Sequence, residues 1–207
     1  MLGLLAPLMT GASHHVSALM ATPGQTSGPF YPSKLPLDDD NDLTRTVGHN
    51  ATAKGQITDL RGRIIDINGK PLPGLRIEIW QCDAHGRYRH PQENGARPID
   101  INFQGHGFSH TSVQGEYLFR TIRPVPYPGR TPHIHVAVFA ENSRPFVTQL
   151  YVAGESRNDS DFLYQQIPQE KRHLITSNFT PSHNSEAALQ ANFDIILDRT
   201  DGTPLQE

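Results

Sequence analysis

The segment "GQITDLRGRIIDINGKPLPGLRIEIWQC", Gly55 to Cys82, limits what this chain can fold into. Two β-branched and aromatic runs are separated by seven residues that hold two glycines and two prolines. Such runs suit strands, and the punctuation between them forbids a continuous helix. The turn reads as a hairpin connection. The same rhythm recurs in "GEYLFRTI", "HIHVAVFA", "FVTQLYVAG" and "NFDIILDRT", the last closing the sheet. Seventeen prolines and seventeen glycines extend that punctuation along the chain. The expected fold is mostly β: a β-sandwich with long loops. Only "DSDFLYQQIPQEKRHLI" and "SEAALQA" read as helical, and residues 91–114 read as loop.

Residues 22–53 read as an extended N-terminal arm, with "DDDNDL" as a solvated acidic stretch. Residues 1–21 are apolar and rich in small residues. They read either as a disordered tail or as the remnant of an export signal lacking its basic start, so the location is cytoplasmic or exported. Residues 22–207 then form one domain, since 207 residues suffice for one core and no linker-like break interrupts them. Three N-x-[ST] sequons, at Asn50, Asn158 and Asn178, act only in a eukaryotic secretory cell. A net charge of -3 gives no footprint for nucleic acid or an anionic membrane. The lone cysteine, Cys82, excludes an internal disulfide and a multi-cysteine metal site. It shares a strand face with Trp80 and reads as a small buried residue.

Chemistry concentrates in "PYPGRTPHIHVAVF", Pro126 to Phe139. On a strand His133 and His135 point to one face. They are metal ligands or two polar residues on a solvent face. The apolar run Val136 to Phe139 favours a strand buried on both faces, where two imidazoles need partners. Tyr127, held between two prolines, is placed to be a third ligand or simply to pack beneath its loop. A His, His, Tyr set without cysteine suits iron better than zinc.

The ordered fragments "GQTSGPFYP", "LPGLRIEIWQCDAHGRYRH", "GEYLFRTIRPVPYPGR", "PHIHV" and "TQLYVAGE" resemble the intradiol ring-cleavage dioxygenases. Within that family they most resemble the iron-bearing (beta) chains of protocatechuate 3,4-dioxygenases. The resemblance runs from about Thr22 to Asp198. It implies non-haem Fe(III) held by Tyr88, Tyr127, His133 and His135, with Arg130 stabilising charge on the ring and Gln149 supporting it or meeting substrate. It also implies O2 as co-substrate, Tyr127 as a base that releases the metal, and a cis,cis-muconate-type diacid as product. The partner is then a small aromatic diol, protocatechuate-like before catechol or hydroxyquinol, and the chain is a homo- or hetero-oligomer. Gly129 stands where many members carry Trp, and the loop from Tyr127 to His133 is shorter than in the protocatechuate enzymes. His106 and His110 fall in a segment near the iron, with substrate contact open for either. His85 and His90 shape the Tyr88 loop, Arg123 is structural, and Asp159 and Asp161 are helix caps or solvated. The competing reading is a non-catalytic binding module of the transthyretin-like or carboxypeptidase-regulatory-like β-sandwich type. Such modules need no Tyr-Tyr-His-His set.

Overall fold

A computed structural model of the chain describes residues 18–35, 40–183 and 186–198. Among the described residues ten strands form two five-stranded sheets. β1 (Ile57–Asp66) is the spine of the first. It pairs antiparallel with β4 (Glu116–Ile122) along one edge. Along the other it pairs in parallel with β9 (Leu189–Asn192) and then β10 (Ile195–Leu197). β8 (Thr180–Pro181) extends β9. The second sheet runs β3 (His106–His110), β2 (Arg76–Trp80), β5 (His133–Phe139), β6 (Phe146–Val152) and β7 (Thr176–Ser177).

The inward faces meet in one apolar core. Leu60, Ile64 and Phe119 of the first sheet oppose Ile77, Ile79, Ile134, Val136, Val138 and Leu150 of the second. Each buried side chain of this size contributes about 1.5–3 kcal/mol. β5 is buried on both faces, as its apolar run predicts: Ile134, Val136 and Val138 enter the core, while His133, His135 and Ala137 face away. That far face is covered too. Trp80, Cys82, Tyr88 and Ala137 form a second cluster, joined by Phe30 and Tyr31 of the arm. Among its described residues the arm forms no strand of its own, touching the first sheet through an Asp42–Arg120 bridge.

Four local expectations are corrected. "NGKPLPG" is not the turn of a hairpin. Gly69, at φ +80, doubles the chain back for one Ile65–Pro71 bridge, and the chain then crosses to the other sheet. Pro71 and Pro73 carry no N–H and cannot extend a ladder. "SEAALQA" is not helical: its described part feeds β9, which takes up the free edge of β1. A run of seven residues is too short to sustain a helix by itself against that pairing. "HGFSH" is an edge strand rather than loop. "DSDFLYQQIPQEKRHLI" is helical only in pieces: a 3₁₀ turn over Ser156–Ser160, α1 (Phe162–Gln165) and a 3₁₀ turn over Gln169–Ile175. Pro168 interrupts the run.

Asn158 of the second sequon is buried, with its amide donating to Val152 O at 2.9 Å and accepting from Thr131 Oγ1 at 2.8 Å, so it offers no acceptor for a glycan. Among the described residues no helix is long and apolar enough to cross a membrane. The reading of residues 1–21 as a tail or signal falls outside the described residues up to 17, as do Asp38 and Asp39 of the acidic stretch.

Candidate metal centre

The site is floored by the outer face of the second sheet. Strand pairing sets Trp80 and Gln149 on either side of His135, and Tyr151 beside His133. His133 Nδ1 lies 2.7 Å from Thr131 O. A carbonyl oxygen only accepts, so Nδ1 carries the proton and Nε2 presents its lone pair. That Nε2 is 3.2 Å from His135 Nε2. Trp80 stacks on the other face of His135, and Gly28 of the arm closes on it: a Cβ there would lie 3.3 Å from Cε1.

Tyr88 arrives from the turn after β2. Asp83 Oδ1 accepts from the N–H groups of His85 and Arg87, folding the turn tightly. Gly86, at φ +77, sits so close to Pro126 O that a Cβ would be 3.0 Å from it, which sets the Tyr88 loop against the Tyr127 loop. Tyr127, Pro128, Gly129 and Arg130 make a turn closed by Arg130 N–H to Tyr127 O at 2.9 Å. Pro at the second position and Gly at φ +82 at the third fit a type II turn. That backbone disfavours any side chain at position 129, which suits glycine.

The four rings enclose one point. Centroid separations are 5.5 Å for Tyr88–Tyr127, 5.5 Å for Tyr127–His133, 4.8 Å for His133–His135 and 6.3 Å for Tyr88–His135. The buried Tyr88 hydroxyl faces Tyr127 without a well-formed hydrogen bond, and His135 Nδ1 has no partner. Among the described residues no three His, Cys, Asp or Glu side chains gather as a metal site, so any cation here draws on the phenols.

Burial, then the Arg130 charge, pushes His133 down to about 4. Burial, then His133 and Arg130, holds His135 well below the usual histidine range. Both imidazoles are therefore neutral donors at pH 7. Burial raises the Tyr88 phenol well above its ordinary value. Burial also raises Tyr127, with Arg130 pulling against it. Burial lifts the Cys82 thiol to about 12, which leaves it inert.

Arg130 donates from Nη2 to Gln149 Oε1 at 2.7 Å and to Tyr151 Oη at 3.4 Å, and Gln149 Nε2 donates to Thr26 O at 3.1 Å. Its Nε donates to Asp161 Oδ2 at 2.8 Å. Sequence reasoning reads Asp161 as a helix cap or solvated and misses this contact. Phe30, stacked on Tyr88 at 4.5 Å, is also missed as a site residue, although it sits inside the "GPFY" fragment. The other polar candidates do not join the four rings, although His106 lines a cavity with Phe30 and Tyr88. His106 is buried, with Nε2 3.1 Å from Glu78 Oε2, and His110 is exposed at the end of β3. His85 meets Pro98 O through Nδ1 at 2.7 Å, His90 lies edge-on to Phe30, and Asp159 is exposed.

The comparisons agree on one family. A family model described as "Dioxygenase" matches residues 26–199. The protocatechuate 3,4-dioxygenase beta chain of Burkholderia cepacia is 36% identical over 177 residues, covering 81% of this chain and 75% of that one. This chain belongs to the intradiol ring-cleavage dioxygenase family. A hydroxyquinol 1,2-dioxygenase of Corynebacterium glutamicum is 30% identical over 168 residues, covering 72% of this chain and 52% of that one. The chain thus spans about half the length of that relative. Two solved dioxygenase structures superpose at a TM-score of 0.65. The dioxygenase domain of a carbohydrate-binding fusion from Streptomyces sp. SirexAA-E is 28% identical and covers 87% of this chain and 100% of that one. Catechol 1,2-dioxygenase of Acinetobacter sp. ADP1 is 26% identical and covers 90% and 66%. Membership in the intradiol dioxygenases places the chain in a family of enzymes.

Proposed function

We propose that this chain cleaves a catecholic ring between its hydroxylated carbons with O2, using Fe(III) held by Tyr88, Tyr127, His133 and His135. The observation that carries the reading is the convergence of two neutral imidazoles and two phenols on one buried point, with the Tyr88 hydroxyl unsatisfied there. The residues fit the ion. Neutral nitrogen donors and hard anionic oxygens suit a trivalent cation, whose charge would reverse the burial that otherwise keeps the phenols protonated. Bound ferric iron supplies Lewis acidity toward the diol and makes the ring reactive toward O2.

The chain's own groups then divide the work. Tyr88, His133 and His135 are the buried, fixed side of the set. Tyr127 is half-buried and beside Arg130, so its phenol oxygen is the one that takes a proton from a substrate hydroxyl. Arg130 keeps a fixed positive charge facing the ring as negative charge grows on it. Gln149 aims Arg130 through Oε1 and is itself aimed by the arm at Thr26. Phe30 covers the Tyr88 side and keeps water from that phenol.

The substrate we favour is protocatechuate-like, a diol with a further ring substituent. It is supported by the 36% identity to a protocatechuate 3,4-dioxygenase beta chain and by the open space beside Gly129, where a Cβ would meet nothing within 4 Å. Oxygen uptake on protocatechuate, catechol and hydroxyquinol, with product spectra, tests it. Fastest turnover of protocatechuate to an intradiol diacid is expected. Preference for catechol or hydroxyquinol would overturn the substrate, and an extradiol product or a colourless iron-loaded protein would overturn the chemistry.

A further inference from the structure

We infer that Asp161 is the positioning residue for Arg130, fixing the guanidinium against the candidate centre. The inference rests on reading Arg130 as the charge-stabilising group. Asp161 sits at the start of α1, a four-residue helix, where a capping carboxylate would ordinarily meet water. Here its side chain is 0% exposed. A charge so buried is retained only when its oxygens are matched by donors. All four donors are present. Oδ1 accepts from Leu163 N at 3.1 Å and Tyr164 N at 2.9 Å. Oδ2 accepts from Arg130 Nε at 2.8 Å and Thr131 N at 3.0 Å. One oxygen therefore caps the helix, and the other holds two consecutive residues at the entry to β5, two positions before His133.

The geometry of the fork makes this contact directional. With Nε held by Asp161, the planar guanidinium can turn only about that edge. Nη2 then falls on Gln149 Oε1. The Phe162 ring, next along the chain from Asp161, lies 5.6 Å from Arg130 Cζ. Thr131, whose N–H meets the carboxylate, is itself fixed, because its Oγ1 donates to the buried Asn158. Freed from Asp161, Arg130 would keep its charge but not its aim, and misplacement by about 1 Å can cost on the order of 100-fold in rate.

The test is a double-mutant cycle in the iron-loaded full chain. Asp161→Asn keeps one oxygen for the cap and loses the acceptor for Arg130. Asp161→Ser, which also caps a helix, serves if the first variant folds poorly. Each is expected to lower kcat by about 10- to 100-fold per folded molecule with a smaller change in KM. The effect should vanish in an Arg130→Gln background. A second readout needs no turnover: in the iron-free chain the Arg130 Nε–H should exchange slowly with solvent by NMR, and rapidly in both variants. An equal loss of kcat in the Arg130→Gln background would overturn the positioning role, as would fast Nε–H exchange in the unaltered chain. Failure of the unaltered chain to turn over any diol would instead sink the dioxygenase reading, and this role with it.

Discussion

Trp80 lies flat against His135, ring centroids 4.8 Å apart and planes 4° from parallel. The contact follows from strand register, since β2 and β5 place the two residues as direct partners. Flat stacking restricts rotation of an imidazole whose Nδ1 makes no hydrogen bond. His133 is oriented by Thr131 O, and His135 is oriented by packing.

Trp80→Ala should accordingly act twice. It empties a fully buried site in the second cluster and should cost about 3–5 kcal/mol of stability, read by urea unfolding of the iron-free chain. It should also loosen iron binding by leaving His135 free to turn, read as iron content after dialysis against a chelator. Trp80→Phe keeps an aromatic face and should retain most of the iron. Equal iron retention by the Ala variant would show that stacking does not orient His135.

Tyr127→Phe and Tyr88→Phe should separate the two phenols. Loss of the Tyr127 hydroxyl removes the proposed base and should slow turnover by about 100- to 10,000-fold while iron is retained. Loss of the Tyr88 hydroxyl removes a buried, fixed donor and should lower iron content itself. Visible absorption with iron analysis decides between them. Normal turnover by the Tyr127 variant would end its assignment as base.

The parts of this site legible in the sequence are those set by local periodicity. His133 and His135 share a face because they are two apart on a strand, and the apolar run after them predicts burial on both sides. Tyr88 is different: its distance from β5 in sequence hides the contact, and only the ordered motifs bring it forward. Asp161 is read as cap or solvated because "DSDF" looks the same in either state. Its burial depends on where the turn at Gly129 sends Arg130, a tertiary fact. Edge pairing explains the misreadings of fold, since the end of "SEAALQA" and the whole of "HGFSH" become strands by meeting β1 and β2 rather than by any pattern of their own.

Gly129 offers a test of backbone alone. A Cβ there meets nothing, yet φ is +82. Gly129→Ala should therefore destabilise by about 1–2 kcal/mol without any clash. It should lower kcat as well, because the same turn sets Arg130 beside Tyr127. Gly129→Asn, which tolerates the left-handed region better, should recover part of both. Wild-type stability in the Ala variant would show that the turn relaxes freely.

Acid should destabilise the iron-free chain before its carboxylates titrate. His133 is held at about 4 and His135 well below the usual range, against about 6.5 unfolded. Between those values the unfolded chain binds protons that the folded chain refuses. The unfolded state therefore gains as pH falls, so stability is full above about 6.5 and declines from there toward 4. Each imidazole adds a slope of at most about 1.4 kcal/mol per pH unit in that window. The carboxylates of Glu78 and Asp161 are held below their ordinary values of 4.5 and 3.8, so their losses begin lower. Urea midpoints at pH 7, 6 and 5 should fall in sequence, and His133→Asn should flatten the decline. A flat profile in the unaltered chain across that range would mean that both imidazoles meet water, contrary to their burial at the centre.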